Sequence, residues 1–291
     1  MTTEGSLAAI SREKPVLIAG PTASGKSALA MAIAARDGRI IVNADALQVY
    51  DCWRILTARP SIADEAALPH ALYGHIERTE SYSVGHWLRE ATKLLDQPIV
   101  IVGGTGLYFS ALTKGLAEIP PIPPEIRARG DALRLADLPA MVAALDPVTA
   151  ARTDLRNPAR VQRAWEVQEA TGRSLSSWQD GTGAPLLPLE CVEALVLRPT
   201  TPWLDARIAR RFETMMDEGA LDEARAALPG WDPSLPSSRA IGAPELIAHL
   251  TGDLSLDAAI AAAKLASRRY AKRQRTWFRS KMADWREIVP G

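Results

Sequence analysis

The apolar positions of this chain change rhythm from one stretch to the next. Short unbroken apolar runs at 16–19, 39–43 and 98–102 read as buried strands. The first runs into Gly20, the second into Asp45 and the third into Gly103-Gly104-Thr105-Gly106. Helical patterns fill the gaps, at 28–34 after the first strand and at 84–96 before the third. Strands alternating with helices over about the first 115 residues predict a parallel sheet, with ligands gathered at the carboxyl ends of its strands. Pro120-Pro121-Ile122-Pro123-Pro124 then breaks the pattern as a hinge or linker. Helices follow at 125–135, 138–145, 147–153 and 158–171, with Leu133, Leu135, Leu138, Met141, Val142 and Leu145 as their apolar faces. A Gly- and Pro-rich loop at 181–188 leads to a strand at 191–197 that returns to the sheet. Helices at 202–217, 220–227, 244–250 and 256–282 and a short strand at 287–289 complete the chain. This divides the sequence into a first core part (1–119), a helical insertion (120–190) and a mostly helical return to the core (191–291).

Composition narrows the function classes. Hydrophobic residues make up 47%, enough for a sizeable core, and the formal net charge is zero. Any affinity for nucleic acid must therefore come from a local patch. Cys52 and Cys191 have no metal-ligand spacing and fit a reducing compartment. The apolar stretch 7–10 is too short for a signal peptide, and no run approaches a membrane span, so a cytoplasmic protein is expected.

The strongest chemical signal is Gly20-Pro21-Thr22-Ala23-Ser24-Gly25-Lys26-Ser27, which fits G-x-x-x-x-G-K-[ST] at every position between a strand and a helix. Backbone N–H groups of such a loop and the positive end of the following helix form a socket for phosphate oxygens. Lys26 adds a point charge, and the Ser27 hydroxyl is placed to help hold Mg²⁺. The expected fold is thus an α/β, P-loop NTPase-like core with a helical insertion and a helical C-terminal part. Asp45, 18 residues after Ser27, has three readings: a magnesium ligand, a base beside the phosphates, or a helix N-cap. The third strand ends in glycines and Thr105 instead of the acidic pair of motor ATPases, which favours a small transferase site. Arg207, Arg210 and Arg211 could clamp phosphates or form surface pairs. His70, His75, His86 and His249 form no metal pattern. From Arg268 to Lys281 the chain carries seven Lys or Arg and no acid, with Tyr270, Trp277 and Phe278 interleaved. Stacked like charges on a helix repel, so this stretch calls for an anionic partner, and bases and phosphates suit it. Arg152, Arg156, Arg160 and Arg163 could extend that track. A small-molecule or nucleoside kinase using ATP would explain the loop and Asp45 but not the basic helix.

Together these segments resemble the tRNA dimethylallyltransferases, also called isopentenyl-tRNA transferases. The matching stretches are Gly20–Ser27, 43–50, Thr57-Ala58-Arg59-Pro60, Gly103-Gly104-Thr105-Gly106-Leu107-Tyr108, 124–127, 157–163, 207–215 and 272–279, in family order along almost the whole chain. The resemblance implies transfer of the dimethylallyl group of dimethylallyl diphosphate to N6 of the adenosine just 3′ of the anticodon, with N6-(dimethylallyl)adenosine and diphosphate as products. It implies that the loop holds the diphosphate, with Mg²⁺ at Ser27, and that Lys26, Asp45, Thr105 and Arg211 are catalytic, Asp45 as the base. It implies tRNA contacts from Asp45, Ala46, Leu47, Gln48, Thr105, Arg127, Ala159, Arg160, Val161, Gln162, Arg163, Arg239, Gly242, Lys272, Arg273, Gln274, Arg275, Thr276, Trp277, Phe278 and Arg279, with the insertion gripping the anticodon stem-loop of a tRNA bound to a monomer. Ala46-Leu47 and Ala243-Pro244 depart from the family's usual residues.

Overall fold

In the computed structural model, which describes residue 7 and residues 9–290, the apolar runs pair into one parallel sheet. Its strands are β1 (Val16–Ala19), β2 (Ile40–Asn43), β3 (His70–Ala71), β4 (Ile99–Gly103), β5 (Glu193–Leu197) and β6 (Arg286–Ile288), in the order β3-β2-β4-β1-β5-β6. Ala19 lies opposite Gly103 and Asn43 opposite Val102, so β2, β4 and β1 end side by side. Alternate residues serve opposite faces, as strand geometry requires. Leu17 and Ala19 pack with Trp87, Phe109 and Trp285, while Val16 and Ile18 pack with Leu29 and Ile33. Covered on both faces, the central strands read as continuous apolar runs.

Helix α1 (Lys26–Asp37) starts directly behind Gly25, whose φ of +90° is left-handed backbone that glycine accepts at little cost. α2 (Ile62–Ala67) and α3 (Val84–Thr92) follow, then α4 (Gly106–Lys114) behind β4. α2 buries no residue and rests on a capping box between Ser61 and Asp64. The chain then builds a separate unit, Lys114–Pro185, from α5 (Pro124–Ala136), α6 (Leu138–Ala143), α7 (Pro147–Arg152), α8 (Pro158–Thr171) and α9 (Leu175–Asp180). Its core is Met141, Leu145, Val161, Ala164 and Trp165, with Leu133, Leu138 and Val142 packed against them. Leu135 is corrected here: it is 78% exposed, because it lies off the inward stripe of α5 formed by Ile126, Gly130 and Leu133.

After β5 the first unit continues with α10 (Thr201–Asp217), α11 (Ala220–Ala227), α12 (Ala243–Leu250) and α13 (Leu256–Lys281). They enclose a core of Trp53, Phe212, Met215, Leu246, Ile247 and small alanines. Ser255 caps α13, accepting from the Ala258 N–H at 3.2 Å. No described helix is long and apolar enough to cross a membrane.

Candidate active site

Three strand ends converge on one place. Gly20 N donates to Gly103 O (3.3 Å), Ala44 N to Val102 O (2.8 Å) and Thr105 N to Ala44 O (3.1 Å). The phosphate loop, the Asp45 turn and the Thr105 turn are therefore adjacent. Asp45 does not cap a helix. Its Oδ1 accepts from Leu47 N at 3.1 Å in a turn. Asn43, absent from the expected site residues, holds that turn: its Oδ1 accepts from Asp45 N (2.8 Å), and its Nδ2 donates to Asp45 O (3.0 Å) and Leu72 O (2.9 Å). Thr105 Oγ1 accepts from Ala46 N at 2.9 Å, joining the two turns.

Within the loop, Ala23 takes a left-handed φ of +61°. Lys26 is buried and its ammonium reaches Pro21 O at 3.4 Å. Burial lowers its pKa to about 8, with Arg211 adding to the effect and Asp45 opposing it. Among the described residues the buried Ser24 hydroxyl has no hydrogen-bond partner. Ser27 is exposed on the first turn of α1. From α10, Arg211 donates to Thr22 Oγ1 at 3.1 Å and Arg207 to Ala23 O at 3.0 Å, while Arg210 is exposed and holds no loop atom. Burial lowers the Arg211 pKa, and Arg207 lowers it further against the pull of Asp45. The charge of Asp45 also joins burial in raising the pKa values of Tyr73, Tyr108 and Tyr270, so it lies within range of two cations and three phenols.

Beside these groups lies a cleft bounded by Thr22, Asp45 and Arg211 and by an apolar wall of Leu47, Leu56, Ile208, Phe212, Met215 and Ile241. That wall was missed in the sequence, although 208, 212 and 215 share a helix face with Arg211. Gly242 shapes it: its φ is +96°, and a Cβ there would lie 2.9 Å from Leu56 and Phe212.

The glycines at the end of β4 and just beyond it are required by close packing of the chain itself. A Cβ on Gly103 would lie 2.0 Å from Ala44 O, one on Gly104 2.2 Å from Gln274 Nε2, and one on Gly106 2.2 Å from the Trp277 ring. The protein itself fills that space.

The expected RNA-contact residues divide by helix face. On α13, Lys272, Arg273, Thr276 and Arg279 are exposed, and Arg275 is half-buried against Thr201. Among the described residues, Arg268, Arg269, Lys272, Arg273 and Arg279 have no carboxylate partner. Gln274 and Phe278, expected as RNA contacts, are both buried on the inward face of α13, Phe278 in the sheet core and Gln274 against the backbones of Thr22 and Gly104. Trp277 is half-buried against the same core. Gln48 spends both amide donors on Thr57 O and Ala58 O, each at 2.9 Å. Arg239 is exposed. In the separate unit, Arg127, Ala159 and Arg160 are exposed and Arg163 half-buried. Val161 and Gln162, expected as RNA contacts, are buried, because they lie on the face of α8 that packs inward.

A family model described as IPP transferase matches residues 48–281. A tRNA dimethylallyltransferase of Cereibacter sphaeroides is 70% identical over 279 residues, covering 95% of this chain and 96% of the relative. One of Dinoroseobacter shibae is 62% identical over 289 residues, covering 98% of each. Among solved structures, the full-length tRNA isopentenylpyrophosphate transferase of Bacillus halodurans is 32% identical, covers 95% of this chain and 90% of that one, and superposes with a TM-score of 0.67. With likeness of this degree along nearly its whole length, the chain belongs to the IPP transferase family, alongside the tRNA dimethylallyltransferases.

Proposed function

We propose that the chain transfers a dimethylallyl group from dimethylallyl diphosphate to N6 of an adenosine beside the anticodon of tRNA, in the cytoplasm. The carrying observation is the cleft itself, where phosphate-binding groups and an apolar wall share one space. A ligand with an anionic head and a short hydrocarbon tail matches both. The kinase alternative is not favoured: the chain's curated relatives are tRNA dimethylallyltransferases.

The transfer breaks the allylic C–O bond, and its electron pair leaves with the diphosphate. Lys26, the loop N–H groups and Arg211 are assigned to that developing charge. The N6 lone pair is delocalised into the ring, so the amine attacks well only as its proton leaves. Asp45 is assigned as the base that takes this proton while the C–N bond forms. Thr105, fixed to Ala46 N, lies beside Asp45 to orient the reacting groups. Mg²⁺ is proposed as cofactor. Among the described residues no cluster of three or more His, Cys, Asp or Glu could hold an ion, so the donor set suits an ion carried largely by diphosphate oxygens, with Ser27 as the protein ligand. Such an ion would neutralise leaving-group charge. The unpaired cations of α13 are assigned to RNA phosphates, and Arg127, Arg160 and Arg163 to the stem-loop.

The test is nucleoside mass spectrometry on an unmodified tRNA transcript incubated with protein, Mg²⁺ and dimethylallyl diphosphate. N6-(dimethylallyl)adenosine is the expected product. Its absence, together with brisk ATP cleavage, would return the kinase reading.

A further inference from the structure

Gln274 lies in the basic stretch of α13, but it faces inward and is only 5% exposed. A buried amide must find partners for its donors and its acceptor. Gln274 finds them on two different catalytic loops. Its Oε1 accepts from Thr22 N of the phosphate loop at 2.9 Å, and its Nε2 donates to Gly104 O of the Thr105 turn at 3.0 Å. Only one orientation of the amide satisfies both bonds. The β1–β4 ladder ends with Gly20 N bonded to Gly103 O. Beyond that point the chains separate, and Gln274 spans the gap. Gly104 has no room for a Cβ because this amide presses against it, and three residues along α13 Trp277 presses Gly106 in the same way. Thr105 stands between the two contacts.

We propose that Gln274 is a positioning residue of the transfer reaction, a strut that sets the spacing between the loop assigned to the diphosphate and the turn that carries Thr105 and abuts Asp45. The inference rests on the prenyl-transfer reading of the site. In that reading the donor carbon and the acceptor nitrogen are held by different loops, and a displacement of about 1 Å between them costs on the order of 10²-fold in rate. Gln274 touches neither substrate and acts through Thr22 and Gly104.

The test uses the full chain with Gln274→Met, which keeps the volume and removes both hydrogen bonds to the loops together with the one to the Tyr270 side chain, and Gln274→Ala as a second variant. Three quantities are measured: the single-turnover rate with both substrates saturating, tRNA Kd by filter binding, and the thermal midpoint. The expected result for Gln274→Met is a rate lower by about 10²-fold, with tRNA Kd within twofold of wild type and a cooperative melt. A wild-type rate in Gln274→Met overturns the proposal, since packing alone would then suffice. A tRNA Kd weakened by the same factor as the rate also overturns it and makes Gln274 an RNA contact. If Gln274→Ala does not fold, the methionine variant decides. Wild-type protein that forms no prenyladenosine would instead refute the underlying reading, which separates the two failures.

Discussion

Lys26 offers a measurement that reads the electrostatics of the site directly. Burial lowers its pKa to about 8, so at about pH 7 the ammonium is mostly charged, and at about pH 9 it is mostly neutral. A bound diphosphate favours the charged form, because an opposite charge nearby raises the pKa of an ammonium. Donor binding therefore takes up a proton whenever Lys26 was neutral beforehand. Affinity should be flat below pH 8 and fall above it, approaching tenfold per pH unit, so the donor Kd at pH 9 should be about tenfold weaker than at pH 7. Burial raises the pKa values of Tyr73, Tyr108 and Tyr270, which keeps these phenols out of that window. The assay is calorimetric titration with a non-reactive thio analogue of the donor between pH 6.5 and 9.5. Two variants fix the cause. Asp45 supports the charged form, so Asp45→Asn should move the step to lower pH; Arg211 opposes it, so Arg211→Ala should move the step to higher pH. For stability the sign is the reverse. Between pH 8 and the unfolded-state value near 10.5, the unfolded chain binds the extra proton, so ligand-free stability from this group rises with pH. A donor Kd that stays flat to pH 9.5, or a step that moves the same way in both variants, would refute the reasoning.

Asp45→Asn keeps the size of the side chain but removes its basicity. Turnover should fall by about 10²-fold or more while tRNA affinity changes little, and unchanged single-turnover rates would remove Asp45 from the chemistry. Met215→Ala removes part of the apolar wall and deepens the cleft, so the kcat/KM ratio of geranyl to dimethylallyl diphosphate should rise by about tenfold or more in competition assays. An unaltered ratio would place the hydrocarbon tail elsewhere. Lys272→Ala and Arg279→Ala should each weaken tRNA binding and reduce the slope of log K against log salt by about one, if each neutralises one phosphate. Slopes equal to wild type would return the exposed face of α13 to plain solvation.

The sheet was legible in the sequence because each central strand is a buried apolar run closed by a turn residue, and the phosphate loop carries its own spacing rule. β3 was not legible, since a two-residue strand has no period to detect; its partner β2 defines it. Nor was the apolar wall of the cleft. Leu56, Phe212 and Ile241 come from separate segments, and each alone reads as an ordinary core residue, while Leu47 was expected only as an RNA contact. Asn43 was also silent. An asparagine at a strand end is common, and its importance comes only from the three backbone atoms it holds around Asp45.

The basic helix shows why composition and periodicity must be combined. Read as one stretch, 272–279 has the make-up of an RNA-binding segment, and all eight residues share the expectation. A helix cannot present eight consecutive residues to one partner. The buried positions of α13 are Ala259, Ala263, Ala271, Gln274 and Phe278, spaced by threes and fours or their sums, and they extend one inward stripe into the basic region. Small residues and a phenylalanine on that stripe are ordinary packing. A glutamine there is not, because a buried amide without partners costs about 1–3 kcal/mol. Its presence on an apolar stripe says that the helix meets backbone groups lacking bonds of their own, and at the end of a parallel sheet such groups belong to ligand-binding loops. The polar residue on the wrong face was thus the sequence signal for the strut between Thr22 and Gly104, and the exposed cations beside it on the same helix face the solvent where RNA phosphates would lie.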